Sequence, residues 1–241
     1  MNARRFAHTT IPEWKERYVQ LASEANNCYL KDYYAAGMVA ANTPVSQLPM
    51  VALDFETTGL NPEQDEIISI GLVPFDHQRV YCRKAREWLV KPSDSLSQQS
   101  VVIHGIRHSD LSEAPDLLHI LNDVLPALSG RVIVVHYQRI ERQFMARELL
   151  RRIGESIDFP VIDTMALEHQ QLRQHQSWQD KLFKRPLPSV RLGECRQRYR
   201  LPFYHPHHAL TDAIATAELL QAQLAHHFSP DTPVSELWHL E

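Results

Sequence analysis

Val51-Ala52-Leu53-Asp54-Phe55-Glu56-Thr57-Thr58-Gly59-Leu60 reads as an apolar strand running into a turn. Side chains alternate across a strand, so Val51, Leu53 and Phe55 share one face while Ala52, Asp54 and Glu56 share the other. Two carboxylates therefore stand side by side, where they repel each other and where burial makes ionisation costlier still. A hard divalent cation, magnesium or manganese, relieves both penalties. A half-exposed strand with an acidic outer face also contains Asp-x-Glu, so the pair alone leaves both readings open.

Outward from this strand, further strands are expected at 66–75 and 86–91, close enough to 51–57 for an antiparallel meander. The pattern then changes. Leu117, Leu118, Leu121, Val124, Leu125 and Leu128 recur at helical spacing, 131–136 reads as a buried strand, and a charged helix is expected over 139–153. A short strand at 161–162 leads into a helix with Asp163 as its N-cap, and two more helices finish the chain. A meander followed by strand–helix units predicts an α/β protein with a mixed sheet covered by helices.

Upstream, residues 11–38 read as helical, with Trp14, Tyr18, Leu21 and Ala25 on one face and tyrosines at 29, 33 and 34. Residues 42–49 hold two prolines and small polar residues, the composition of a linker. The expected organisation is an N-terminal helical extension over 1–48 and a main domain over 49–241. The Trp14 face is expected to pack on its own domain, with a protein partner as the alternative.

The 241 residues suit one domain plus an appendage, and 44% hydrophobic with 22% charged residues is ordinary globular composition. Cys28, Cys82 and Cys195 are odd in number and lack metal-type spacing, which argues for free thiols in a reducing compartment. The N-terminus lacks the apolar run of a signal peptide, and no segment approaches the roughly 20 apolar residues that span a bilayer. A cytoplasmic protein without a membrane partner is expected. With a net charge of −4, any nucleic-acid partner must be held by local basic surface and by metal.

A second acidic element opens a late helix. Leu210, Ala213, Ile214, Ala217 and Leu220 form its core stripe, and Asp212 lies off that stripe. An aspartate there gains from the helix dipole without any function, but His207 and His208 stand next to it, and imidazole is suited to taking a proton from water near neutral pH. On a regular helix His208 shares the Asp212 face; His207 does so only where the chain is irregular. A zinc site at His205, His207 and His208 lacks a cysteine pair or His-Glu-x-x-His spacing. Glu141, in the first turn of the 139–153 helix, is by itself an ordinary N-terminal helix charge.

Asp54-Phe55-Glu56-Thr57-Thr58-Gly59-Leu60, His104-Gly105-Ile106, the strand ending at His136 and His207-x4-Asp212 together resemble the DEDDh 3′–5′ exonuclease family in order and spacing, over roughly residues 50 to 225. The resemblance implies a ribonuclease-H-like fold and release of nucleoside 5′-monophosphates from single-stranded or frayed 3′ ends, with DNA ahead of RNA. It implies a two-ion site for Mg2+ or Mn2+, with Asp54, Glu56 and Asp212 on one ion and Asp54 and Glu141 placing the second. It makes His207 the general base, puts Thr57 and Leu60 against the terminal nucleotide, and puts His104 at the rim.

One departure stands out. The family's second motif has aspartate five residues after a histidine, and this chain has Glu141 five residues after His136, with Tyr137-Gln138-Arg139 replacing small polar residues. The alternative reading is therefore a nucleic-acid-binding or regulatory subunit with weakened catalysis. A polymerase-serving member carries an anchoring tail, whereas only 228–241 follows the last helix here, so a stand-alone trimming or repair enzyme is expected. Residues 181–200 carry seven Lys or Arg against Glu194, with Phe183, Tyr199, Phe203 and Tyr204 in or beside them, a pattern that suits a single strand or merely a solvated helix face.

Overall fold

A computed structural model describes residues 13–93, 105–183 and 185–239 of the chain. A mixed sheet in the order β3-β2-β1-β4-β5-β6 forms its centre. The strands are β1 (Met50–Thr57), β2 (Ile67–Phe75), β3 (Arg86–Leu89), β4 (Val132–Val135), β5 (Val161–Asp163) and β6 (Trp238–His239). β1 pairs antiparallel with β2 and parallel with β4, and β2 with β3 completes the expected meander. β4 and β5 are parallel, and β6 closes the far edge antiparallel to β5. This is the mixed sheet expected from the strand–helix order, in the ribonuclease-H-like architecture that the family resemblance implies.

The helices are α1 (Trp14–Glu24), α2 (Cys28–Ala35), α3 (Leu117–Leu128), α4 (Gln138–Ile153), α5 (Thr164–His175), α6 (Leu192–Arg198) and α7 (Ala209–His227), with short helices at His108–Leu111 and Trp178–Leu182. Two helices were expected after α5; the short Trp178–Leu182 helix, α6, α7 and the two-residue β6 are found instead. Five-residue helices and two-residue strands are too short to leave a periodicity. No described helix is long and apolar enough to cross a membrane.

The helical stretch expected over 11–38 is two helices with a break between α1 and α2, and residues 1–12 lie outside the described part. The break has a local cause. Asn27 caps α2 by accepting from the Tyr29 amide at 2.9 Å, and the amides of Asn26 and Asn27 donate to the Glu155 carboxylate at 3.0 and 2.8 Å. Trp14, Tyr18, Leu30, Tyr33 and Tyr34 are buried in the same apolar cluster as the sheet, and the hydroxyls of Tyr18 and Tyr33 meet at 2.9 Å. The apolar face of α1 is thus covered by this chain itself. The proline-bearing segment 42–49 is no free tether either: Val45 donates to Thr232 O and Val234 to Thr43 O, each at 2.9 Å, with Val45 and Leu48 buried.

The register of β1 on β2 sets the two faces of the sheet. Asp54 stands opposite Gly71 and Leu53 opposite Leu72, so the acidic face of β1 continues through Gly71 while Leu53 and Leu72 share the other. α7 packs across β1 and β2 on the Gly71 side, because Gly71 lacks the Cβ that would collide with the Ala209 carbonyl and the Leu210 amide.

Candidate active site

β1 carries Asp54 and Glu56 toward α7, and the first turn of α7 carries Asp212 back toward them. One oxygen from each of these carboxylates lies within 4.8 Å of the others. Residues far apart in sequence thus converge at the point where Gly71 admits the helix. Glu56 is buried, and Asp54 and Asp212 are half-buried.

Glu141 stands in the first turn of α4, buried, close enough to Asp54 to perturb it. Its position is held from behind by Asp163. That carboxylate caps its own helix α5 through the amides of Met165 and Ala166, at 2.9 and 3.3 Å, and also accepts from the amides of Tyr137 and Gln138, each at 3.0 Å, at the start of α4. One aspartate therefore holds two helix N-termini, and Glu141 projects from the second. Tyr137 pays for this turn with a left-handed backbone, φ 89°.

The electrostatics of the cluster follow from burial first and mutual repulsion second. Asp54 is held well above the usual carboxylate range by burial, then by Glu141, Asp212 and Glu56. Burial, with Asp212 and Glu87 adding to it, pushes Glu56 up to about 8. Burial raises Asp212 as well, opposed by the His207 amide, which donates to its Oδ2 at 2.8 Å. Glu141 is raised well above its ordinary value by burial and by Asp163, and its Oε2 is buried with no hydrogen-bond partner among the described residues. A carboxylate oxygen in that condition is costly unless protonated or given a cation. An all-oxygen acidic donor set with an orphaned buried oxygen beside it fits a hard divalent cation.

The two histidines are placed differently. His207 is exposed, precedes the helix in a left-handed conformation with φ 69°, and ties its backbone to Asp212. His208 is the N-cap of α7, and its Nδ1 lies 3.6 Å from Glu87 of β3, outside the carboxylate cluster. The chain is irregular just before α7, which is the condition under which the helical reading allowed His207 to approach Asp212. Thr57 ends β1 with its hydroxyl turned back to the Gly59 carbonyl, and Leu60 in the following turn is 82% exposed. His104 lies outside the described residues.

Part of the basic stretch is committed to the fold. Arg196 is 3% exposed and donates to Ala215 O, Pro202 O and Glu218, while Arg198 donates to Glu168 and Ser189 O. Arg185 pairs with Asp180. Tyr199 and Tyr204 are hydrogen-bonded to Glu168 and Glu218. Among the described residues, Arg191, Arg200 and the exposed rings of Phe183 and Phe203 remain for a strand. His136, the histidine of the second motif, holds this segment to the sheet: its Nδ1 meets Thr164 Oγ1 at 2.8 Å and its Nε2 meets Val190 O at 3.0 Å.

Three contributors were not singled out as site residues in the sequence. Gly71 carries a readable signal, a glycine inside an apolar strand. Asp163 was read only as a cap of one helix. Glu87 had no signal, since a single acid on an edge strand is commonplace.

A sequence model described as RNase_T exonuclease matches residues 51–220. A PolC-type DNA polymerase III of Thermotoga petrophila is 32% identical over 169 residues, covering 70% of this chain and 11% of that protein. A DNA polymerase III subunit epsilon of Treponema pallidum is 28% identical, covering 73% of this chain and 76% of its own. This chain therefore spans about a tenth of the PolC-type relatives it matches, 11%. Among solved structures, the nuclease domain of 3′hExo, a DEDDh family member bound to rAMP, superposes with a TM-score of 0.61 at 16% identity, covering 76% of this chain and 94% of that one. Exonuclease X in complex with 5′ overhanging duplex DNA gives 0.57 at 22% identity, covering 78% and 98%. These structural likenesses speak for the fold.

Proposed function

This chain belongs to the RNase_T exonuclease family, and from that premise we propose that it is a DEDDh-type 3′–5′ exonuclease that releases nucleoside 5′-monophosphates from single-stranded or frayed 3′ ends, with DNA preferred to RNA. The observation that carries the reading is the convergence of Asp54, Glu56 and Asp212 from β1 and α7 within 4.8 Å. Asp54, Glu56 and Asp212 would hold one divalent ion, magnesium or manganese, and Asp54 with Glu141 a second. Ions bound there supply positive charge to the phosphate and make a water easier to deprotonate.

The remaining steps fall to the chain. His207, exposed beside Asp212, takes the proton of the attacking water; the water oxygen joins the terminal phosphorus, the bond to the 3′ oxygen breaks, and solvent reprotonates that oxygen. The Asp212–His207 backbone tie orients the carboxylate while leaving the imidazole free to turn toward the strand. Leu60, exposed beyond Thr57, offers an apolar surface to the terminal base. Arg191 and Arg200 would neutralise phosphates farther along the strand.

The test uses single strands labelled at either end, with magnesium, with manganese and with chelator. Metal-dependent loss of 3′ label ahead of 5′ label is expected. Metal-independent binding with no loss of label supports instead a binding subunit, a reading favoured by the glutamate at 141. Matched DNA and RNA strands in the same assay test the preference.

A further inference from the structure

The face of the sheet turned away from the carboxylates holds a cavity of about 450 Å3 between β2, the 3-10 turn Cys82–Lys84, β3 and α3. Its lining includes Leu72 and Pro74, which pair with Leu53 and Val51 and so point away from Asp54. Arg83, Lys84, Arg86 and Arg131 stand around it, opposed by Asp123 as the one acid of the lining. None of these four cations takes part in a salt bridge among the described residues. Arg131 spends one guanidinium nitrogen on the Ala127 and Ser129 carbonyls, and the Lys84 ammonium sits 5.3 Å from the Tyr81 ring centre. Four like charges around one concavity, on a chain whose net charge is −4, repel one another with the single carboxylate of Asp123 set against them.

We infer that this cavity binds a nucleoside phosphate, its phosphates on Arg83, Lys84, Arg86 and Arg131 and its nucleoside against the apolar floor of Leu72, Pro74 and Ala127. Guanidinium groups match phosphate oxygens in paired hydrogen bonds. The volume lies in the ordinary range for small-molecule sites, roughly 300–1,000 Å3, and exceeds what a bare phosphate fills. Asn122 adds an amide able to meet the polar edge of a base. The site lies on the opposite side of the sheet from Asp54, Glu56 and Asp212, and it stands independently of the exonuclease reading. The same chemistry is presented by a free nucleotide and by a nucleotide unit within a strand.

Calorimetric titration with ADP, inorganic pyrophosphate and a short oligothymidylate, all with EDTA, separates the possibilities, because the metal-free carboxylate cluster repels every one of these anions. ADP is expected to bind, and Arg83→Glu with Lys84→Glu is expected to weaken it by about tenfold or more, since each charge-assisted hydrogen bond lost is worth about that factor. The milder pair Arg83→Gln and Lys84→Gln is expected to fall between, with melting curves of both pairs unchanged because these side chains are exposed. Displacement of ADP by oligothymidylate assigns the site to a strand; failure to displace it assigns the site to free nucleotide. No binding of ADP, binding indifferent to both charge changes, or pyrophosphate binding as tightly as ADP overturns the proposal.

Discussion

Gly71 of β2 and Ala209 of α7 lie backbone against backbone: a Cβ at position 71 would fall inside the van der Waals radii of the Ala209 carbonyl and the Leu210 amide. Because Asp54 is paired with Gly71 and Asp212 follows Ala209 by one turn, this contact decides whether the carboxylates of β1 and α7 meet. Gly71→Ala is therefore expected to push α7 outward, cost about 1–3 kcal/mol of stability through overpacking, and cut exonuclease activity more than the melting temperature alone implies. Denaturant melts alongside kcat measurements check it. Unchanged activity in a Gly71→Ala protein would show that the approach of α7 does not set the site.

Crowded carboxylates predict how the metal-free protein responds to pH. Glu56 titrates at about 8 in the folded chain and near its ordinary value of 4.5 when unfolded, so the folded state holds the proton more tightly. Its contribution to stability is full below the unfolded value and is lost as pH rises through about 8. Asp54 and Glu141, shifted in the same direction by burial, add to the slope. In EDTA the melting temperature should fall between acid and mildly alkaline pH, and Mg2+ or Mn2+ should flatten the fall by favouring the ionised carboxylates. A pH profile indifferent to the cation contradicts this.

The two histidines separate cleanly by substitution. Asparagine tolerates the left-handed backbone at position 207, φ 69°, so His207→Asn removes the imidazole with little disturbance of the Asp212 tie. It should lower kcat by about 100-fold or more, the usual loss for a general base. His208→Asn places a favoured N-cap residue where the His208 side chain makes no capping hydrogen bond, and should be mild. The reverse ranking places the proton acceptor at His208.

Tyr137 enters α4 with φ 89°, a conformation that costs a bulky residue about 1 kcal/mol or more. Tyr137→Gly is expected to raise stability by up to about 1 kcal/mol while leaving the Asp163 grip on the helix start intact. Chemical denaturation measures it; a destabilised variant would mean that the half-exposed ring contributes more than the strain removes.

Much of this molecule was legible in its residues. The apolar runs at 51–57 and 66–75 and the leucine spacing of 117–128 gave strands and a helix close to those found, because long patterned segments outweigh local noise. Asp54, Glu56 and Asp212 were legible as a set only because motif order supplied the contact that spacing cannot. The break at Asn26 and Asn27 was missed, since it depends on Glu155, which accepts the freed amides from far along the chain. For the basic stretch the residues left a strand-binding surface and a solvated helix face both open, because the ion pairs of Arg196 with Glu218 and of Arg198 with Glu168 are tertiary and charge counting does not see them.

The most direct measurement is titration of Mn2+ into metal-free protein by calorimetry, with anomalous diffraction from a manganese-soaked crystal to locate the ion. Binding at Asp54, Glu56 and Asp212, abolished by Asp54→Asn, is the predicted result. Saturating Mn2+ with no ion among those carboxylates, or affinity untouched by Asp54→Asn, would contradict the account.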